Sequence, residues 1–91
     1  MKNNAEIQEE IVWLLISKFN IAPEICKEEN FKKPLTGDVW RMLGTDLAVL
    51  YFELEKLFEI RFTEADVQNY GFSSIEKIVN LINQKLMMEA S

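Results

Sequence analysis

Ninety-one residues, 48% of them apolar and 27% charged, suffice for one small domain with its own core, and no apolar run approaches the ~18 residues a membrane span needs. Histidine is absent and Cys26 is the single cysteine, which excludes Cys–His and Ser–His–Asp catalysis and any intramolecular disulfide. The net charge of −5 repels phosphates, so it argues against nucleic acid and anionic membranes and favours a basic protein partner.

The charge is unevenly placed. From Thr45 to Glu76 seven acids stand against Lys56 and Arg61, while the rest of the chain carries eight acids and eight bases. Two readings fit, a solubilising surface or a docking face. The N-terminus "MKNNAEIQEE" lacks the charged-then-apolar pattern of a signal peptide, and the lone cysteine suits a reducing compartment, so a cytoplasmic location is expected. No carboxylate pair stands out as catalytic machinery. No metal or cofactor is expected, and the chain reads as a non-enzyme.

The first helix is expected over Ala5 to Asn20, with Ile7, Ile11, Leu14 and Leu15 on one face. Val12, Trp13, Ile16 and Phe19 widen the apolar arc beyond one packing face. Asn3 or Asn4 can cap its start, and Asn20 with Pro23 supplies a stop. Trp13 has two readings, packing beneath the following loop or marking a self-association surface.

Residues 21 to 44 form a long connection containing Pro23, Pro34, Gly37 and Gly44. Ile21, Ile25, Phe31, Leu35, Val39, Trp40 and Met42 are spread through it, so it is expected to lie packed over the core, with a short helical turn near Asp38 to Leu43. Cys26 reads as a half-buried small apolar residue, since no histidine can activate it.

The second helix is expected from Thr45 or Asp46 to Phe58. Leu47, Leu50, Tyr51, Leu54 and Phe58 form a single inward stripe. Thr45 is the expected N-cap, with Asp46 in the first turn. Ile60 and Phe62 alternate with Arg61 in a short extended piece. Thr63 with Asp66 makes a capping-box variant for a short third helix that Gly71 ends, with Tyr70 and Phe72 packing on the core. Ser73 with Glu76 opens the fourth helix, striped by Ile75, Ile78, Val79, Ile82 and Leu86. The "MMEAS" tail is expected to fray, with Met87 and Met88 read either as part of that frayed end or as a loose apolar contact.

This order of elements, together with "FELEKLFEIRFTEADV" (Phe52 to Val67) and "FSSIEKIVNLI" (Phe72 to Ile82), resembles an acyl carrier protein. The implied fold is an all-α, acyl carrier protein-like four-helix bundle occupying residues 1–91 as a single domain. In that family the second helix opens on Asp-Ser-Leu, whose serine bears the phosphopantetheine arm. A gapless alignment anchored on Phe58 puts this motif on Leu43, Gly44 and Thr45. Gly44 offers no oxygen nucleophile, and Thr45 is a displaced, β-branched substitute. The pattern "PLTGD" followed by "TDLAVLYFELEKLFEI" resembles the serine-lacking acyl carrier-related proteins of bacterial peptide maturation systems, which accompany bacteriocin-like gene clusters. The resemblance implies a non-catalytic accessory in the processing of a ribosomal peptide.

Carrier proteins are recognised through the outer side of the second helix, which implies a partner-binding face of Asp46, Val49, Phe52, Glu53 and Lys56. Val49 and Phe52 are an apolar pair facing outward. Either the long loop covers them through Trp40 or Met42, or they form a patch rimmed by Asp46 and Glu53 that docks a protein, for which the resemblance implies a peptide-modifying enzyme. The alternatives are a true acyl or peptidyl carrier modified at Thr45 and a mimic regulating a carrier-dependent enzyme. The sequence leaves the oligomeric state and the partner open.

Overall fold

The computed structural model describes residues 3–68 and 74–89, with the side chains of residues 67, 68 and 89 left aside. Among the described residues the chain is all-helical, with four α-helices: α1 (Asn4–Phe19), α2 (Gly44–Phe58), α3 (Glu64–Gln68) and α4 (Ile75–Glu89). None of them is long and apolar enough to cross a membrane.

α1 begins where Asn3 caps it, its Oδ1 accepting from the Glu6 N–H at 2.9 Å. It ends at Asn20, whose left-handed φ of 55° returns an N–H to the Leu15 carbonyl. Ile7, Ile11, Leu14 and Leu15 are buried as the spacing requires, and this face packs against α4.

The connection is packed, and the expected helical turn near Asp38 is present but stops at Arg41, with two further short turns before it. Short 3₁₀ turns occupy Pro23–Ile25 and Glu28–Asn30. Around Asp38 to Leu43 there is no continuing helical segment. A single turn closes with the Arg41 N–H on the Gly37 carbonyl, and Arg41 then adopts a left-handed φ of 55°. The physical reason is that Trp40 and Met42 are both buried. Residues two apart on a helix point to opposite sides, so the backbone must break between them for both to enter the core. Met42 is held there by its N–H on the Leu35 carbonyl.

Buried polar groups in the connection are paired. The Trp40 indole donates to the Asn30 carbonyl at 2.9 Å, and the Asn30 amide donates to the Ile25 carbonyl at 2.8 Å. The Phe31 carbonyl accepts from the Glu76 N–H in the first turn of α4, satisfying a donor that no helical partner can reach. The loop is therefore tied to α4.

Past α2, Glu59 turns left-handed (φ 54°), and Ile60 and Phe62 enter the core around an exposed Arg61. The expected capping box opens α3. Thr63 N–H donates to the Asp66 carboxylate at 2.7 Å, and Asp66 N–H donates to the Thr63 hydroxyl at 3.2 Å. The same carboxylate meets Lys85 of α4 at 2.7 Å with both side chains largely buried, which fastens α3 to α4. Burial alone would raise the Asp66 carboxyl, but Lys85 and the Thr63 donors outweigh it and hold it below its ordinary value.

At the start of α4 the observed cap is Ser74, whose hydroxyl accepts from the Lys77 N–H at 3.3 Å. Ser73, Tyr70, Gly71 and Phe72 lie outside the described residues. Ile75, Ile78, Val79 and Ile82 are buried and Leu86 packs at their edge. Met87 and Met88 are helical residues of α4, which runs on to Glu89, and both are exposed; Ala90 and Ser91 of the tail expected to fray lie outside the described residues.

Candidate functional site

α2 is amphipathic by spacing. Leu50, Leu54 and Phe58 are buried, and Leu47 and Tyr51 pack at the margin of the same face. Tyr51 marks the boundary between inside and outside. Its hydroxyl donates to the Phe62 carbonyl at 2.7 Å, and its ring lies 5.1 Å from that of Phe62. Burial raises the Tyr51 phenol above its ordinary pKa, helped by the negative charges of Glu55 and Asp66, so it stays a neutral donor.

The helix start differs from the expectation. Gly44, not Thr45 or Asp46, is the first helical residue, and Leu43 occupies the N-cap position. A leucine side chain has no acceptor to offer the helix. The cap is instead one-sided, with the Asp46 carboxylate reaching back to the Leu43 N–H at 2.9 Å. Thr45 is therefore not the N-cap; it is an exposed residue of the first turn. A Cβ added at Gly44 would meet no atom within 4 Å, and its φ is not in the left-handed region. Neither packing nor backbone conformation demands glycine there.

On the outer side, Val49 is 50% exposed and Phe52 60% exposed. The loop does not cover them, because Trp40 and Met42 are themselves in the core. Lys56 is exposed, whereas Asp46 and Glu53 are half-buried along one edge. The five residues named from the sequence thus share one side of the helix, with the two carboxylates at its margin. Phe52 stands edge-on to Tyr51, ring centroids 5.6 Å apart, so its ring is braced against a side chain that is itself hydrogen-bonded.

Sequence reasoning missed three parts of this surface. Leu43, just before the helix, is 67% exposed. Glu55 and Glu59 form a second acidic margin, and with Phe52, Lys56, Ile60 and Arg61 they line a shallow groove of ≈ 420 Å³. Glu55 and Glu59 follow Phe52 by three and seven residues, a spacing that already placed them beside it. The Glu55 carboxylate also accepts from the Phe62 N–H at 2.9 Å, so it anchors the groove wall. The exposure of Leu43 had no such signal.

Elsewhere, Trp13 is 58% exposed, so its expected place beneath the loop is corrected. The loop's own aromatic residues, Phe31 and Trp40, fill the core instead. Cys26 is half-buried as expected, and burial pushes its thiol up, away from the reactive thiolate. Among the described residues no cluster of three or more Cys, Asp or Glu side chains is arranged to hold a metal ion. No protein-family model matches this chain, and comparison with curated proteins and with solved structures finds no match.

Proposed function

We propose that this chain is an acyl carrier-like module that has no prosthetic group and serves as a protein-docking accessory, in the maturation of a ribosomal peptide. The observation that carries the docking reading is the pair Val49 and Phe52, exposed on the far side of a helix whose inner face is already fully packed. Apolar side chains half or more exposed, rimmed by Asp46 and Glu53 and with Lys56 beside them, have the anatomy of a small interface: an apolar centre and a charged edge. The helix keeps its register and its capping carboxylate around Gly44, where an attachment serine would stand in the family it resembles. That position is open to solvent, so a side chain there is missing rather than forbidden.

A second reading retains one specific support. Thr45 is exposed in the first turn of α2, so its hydroxyl is reachable by a transferase, and a carrier modified at Thr45 would present a thioester substrate. Co-expression with a broad-specificity phosphopantetheinyl transferase, followed by intact-mass measurement, separates the two. The docking module keeps its unmodified mass. An adduct of the arm's mass, lost in Thr45→Val, establishes the carrier instead. A mimic that occupies a carrier-dependent enzyme would compete with a genuine carrier while staying unmodified, and enzyme kinetics with both proteins present would reveal it.

A further inference from the structure

The two tryptophans of this chain have opposite environments. Trp40 is buried with its indole N–H paired, whereas Trp13 projects from α1 into solvent. Its neighbours on the outer side are ordered. Glu6, Glu9, Trp13, Ile16 and Asn20 succeed one another at intervals of three and four, which places them on one stripe opposite the face that packs on α4. Glu6 and Glu9 are exposed, and Ile16 is half-buried without joining the core. Lys18 lies roughly 140° around the helix from Trp13 and does not neutralise this stripe.

Glu9 also borders a separate groove of ≈ 360 Å³ between α1 and the long loop. Its apolar lining comes from Val12, Cys26 and Phe31, and the two charged side chains on it, Glu9 and Glu28, are both carboxylates. A half-exposed indole, an apolar groove and like-signed charges along one continuous strip define what would fit. We propose that this face binds a segment of another protein in which Lys or Arg alternates with apolar residues. Trp13 is the anchor, Glu9 and Glu28 receive the cations, and apolar side chains enter the groove over Val12 and Cys26. The face of an indole attracts a cation, so Trp13 contributes to both halves of the recognition. A second copy of this chain fits poorly, because it would bring the same carboxylates against these. The proposal concerns a different helix from the α2 docking face and stands or falls apart from it.

The probe is a synthetic amphipathic peptide of Lys and Leu, titrated into ¹⁵N-labelled protein, with a Glu-for-Lys peptide as control. The expected result is saturable shift changes at the Trp13 indole, Glu9, Cys26 and Glu28, and none with the control peptide. Glu9→Lys with Glu28→Lys should weaken binding about tenfold, as should Trp13→Ala, since reversed charges repel and a central aromatic anchor is lost. Trp13→Phe should restore part of the loss. Phe52→Ala should bind the peptide as wild type does. The proposal is overturned by shifts that map to the outer face of α2, by affinity indifferent to the Trp13 and charge-reversal variants, by absence of binding at millimolar peptide, or by peptide-free line broadening at Trp13 that grows with protein concentration.

Discussion

Truncating Phe52 to Ala tests whether the ring belongs to the surface or to the core. Full burial of a phenylalanine is worth roughly 1.5–3 kcal/mol, and Phe52 hides about two fifths of its surface, so the transfer contribution is about 1 kcal/mol. Losing the edge-on contact with Tyr51 adds about 0.5–1.5 kcal/mol at most. The expected total is therefore about 1–2.5 kcal/mol. The internal reference is Leu54→Ala, two residues on and fully buried, where lost transfer and the cavity left behind should cost about 3–5 kcal/mol. Urea denaturation followed by circular dichroism, with both variants beside the wild type, reads the difference directly. Equal losses for the two variants would refute the assignment of Phe52 to the outside. A loss near zero for Leu54→Ala would refute the register of α2 itself.

Other outcomes follow from local geometry. Gly44→Ser should fold with stability unchanged or raised by about 0.5–1 kcal/mol in thermal melts, since the new side chain meets nothing and the unfolded chain loses freedom. Glu59→Gly should stabilise by about 0.5–1 kcal/mol, because the left-handed φ of 54° strains a residue with a Cβ more than it strains glycine. Asp66→Asn should cost about 1–2 kcal/mol at neutral pH through its weakened bond to Lys85. The Asp66 carboxyl is held below its ordinary value of 3.8 in the folded state, so its contribution is complete above that pH and is lost as pH falls through the lower folded value. Melts of wild type and Asp66→Asn should therefore keep a constant gap from pH 7 to 5 and converge in acid below about pH 4. A gap that changed around neutrality would point to another group.

The helices were legible because apolar spacing and polar caps are local properties. Ile7, Ile11, Leu14 and Leu15 announce α1, and Thr63 with Asp66 announces α3, from residues within one or two turns of each other. The connection was legible as packed, with a helical turn near Asp38, but not in where that turn ends. Where it ends depends on Trp40 and Met42 both entering the core, a tertiary demand that local propensity does not carry. The start of α2 misled for a related reason. Thr45 is a better capping residue than Leu43, yet the chain caps the helix from inside, through Asp46. The ion pair between Asp66 and Lys85 joins residues nineteen apart and has no sequence signature. On the outer face of α2, helical spacing located Val49 and Phe52 correctly. Whether the loop would cover them depended on where Trp40 and Met42 went.

The central claim is that the outer face of α2 docks a protein and that nothing is carried on its first turn. Quantitative affinity capture from the native host measures this most directly, comparing wild type, Val49→Ser with Phe52→Ser, and Thr45→Val by mass spectrometry. The account predicts partners retained by wild type and by Thr45→Val and lost from the Val49 and Phe52 variant, with all three proteins equally folded. Partners kept by the Val49 and Phe52 variant but lost from Thr45→Val would contradict it.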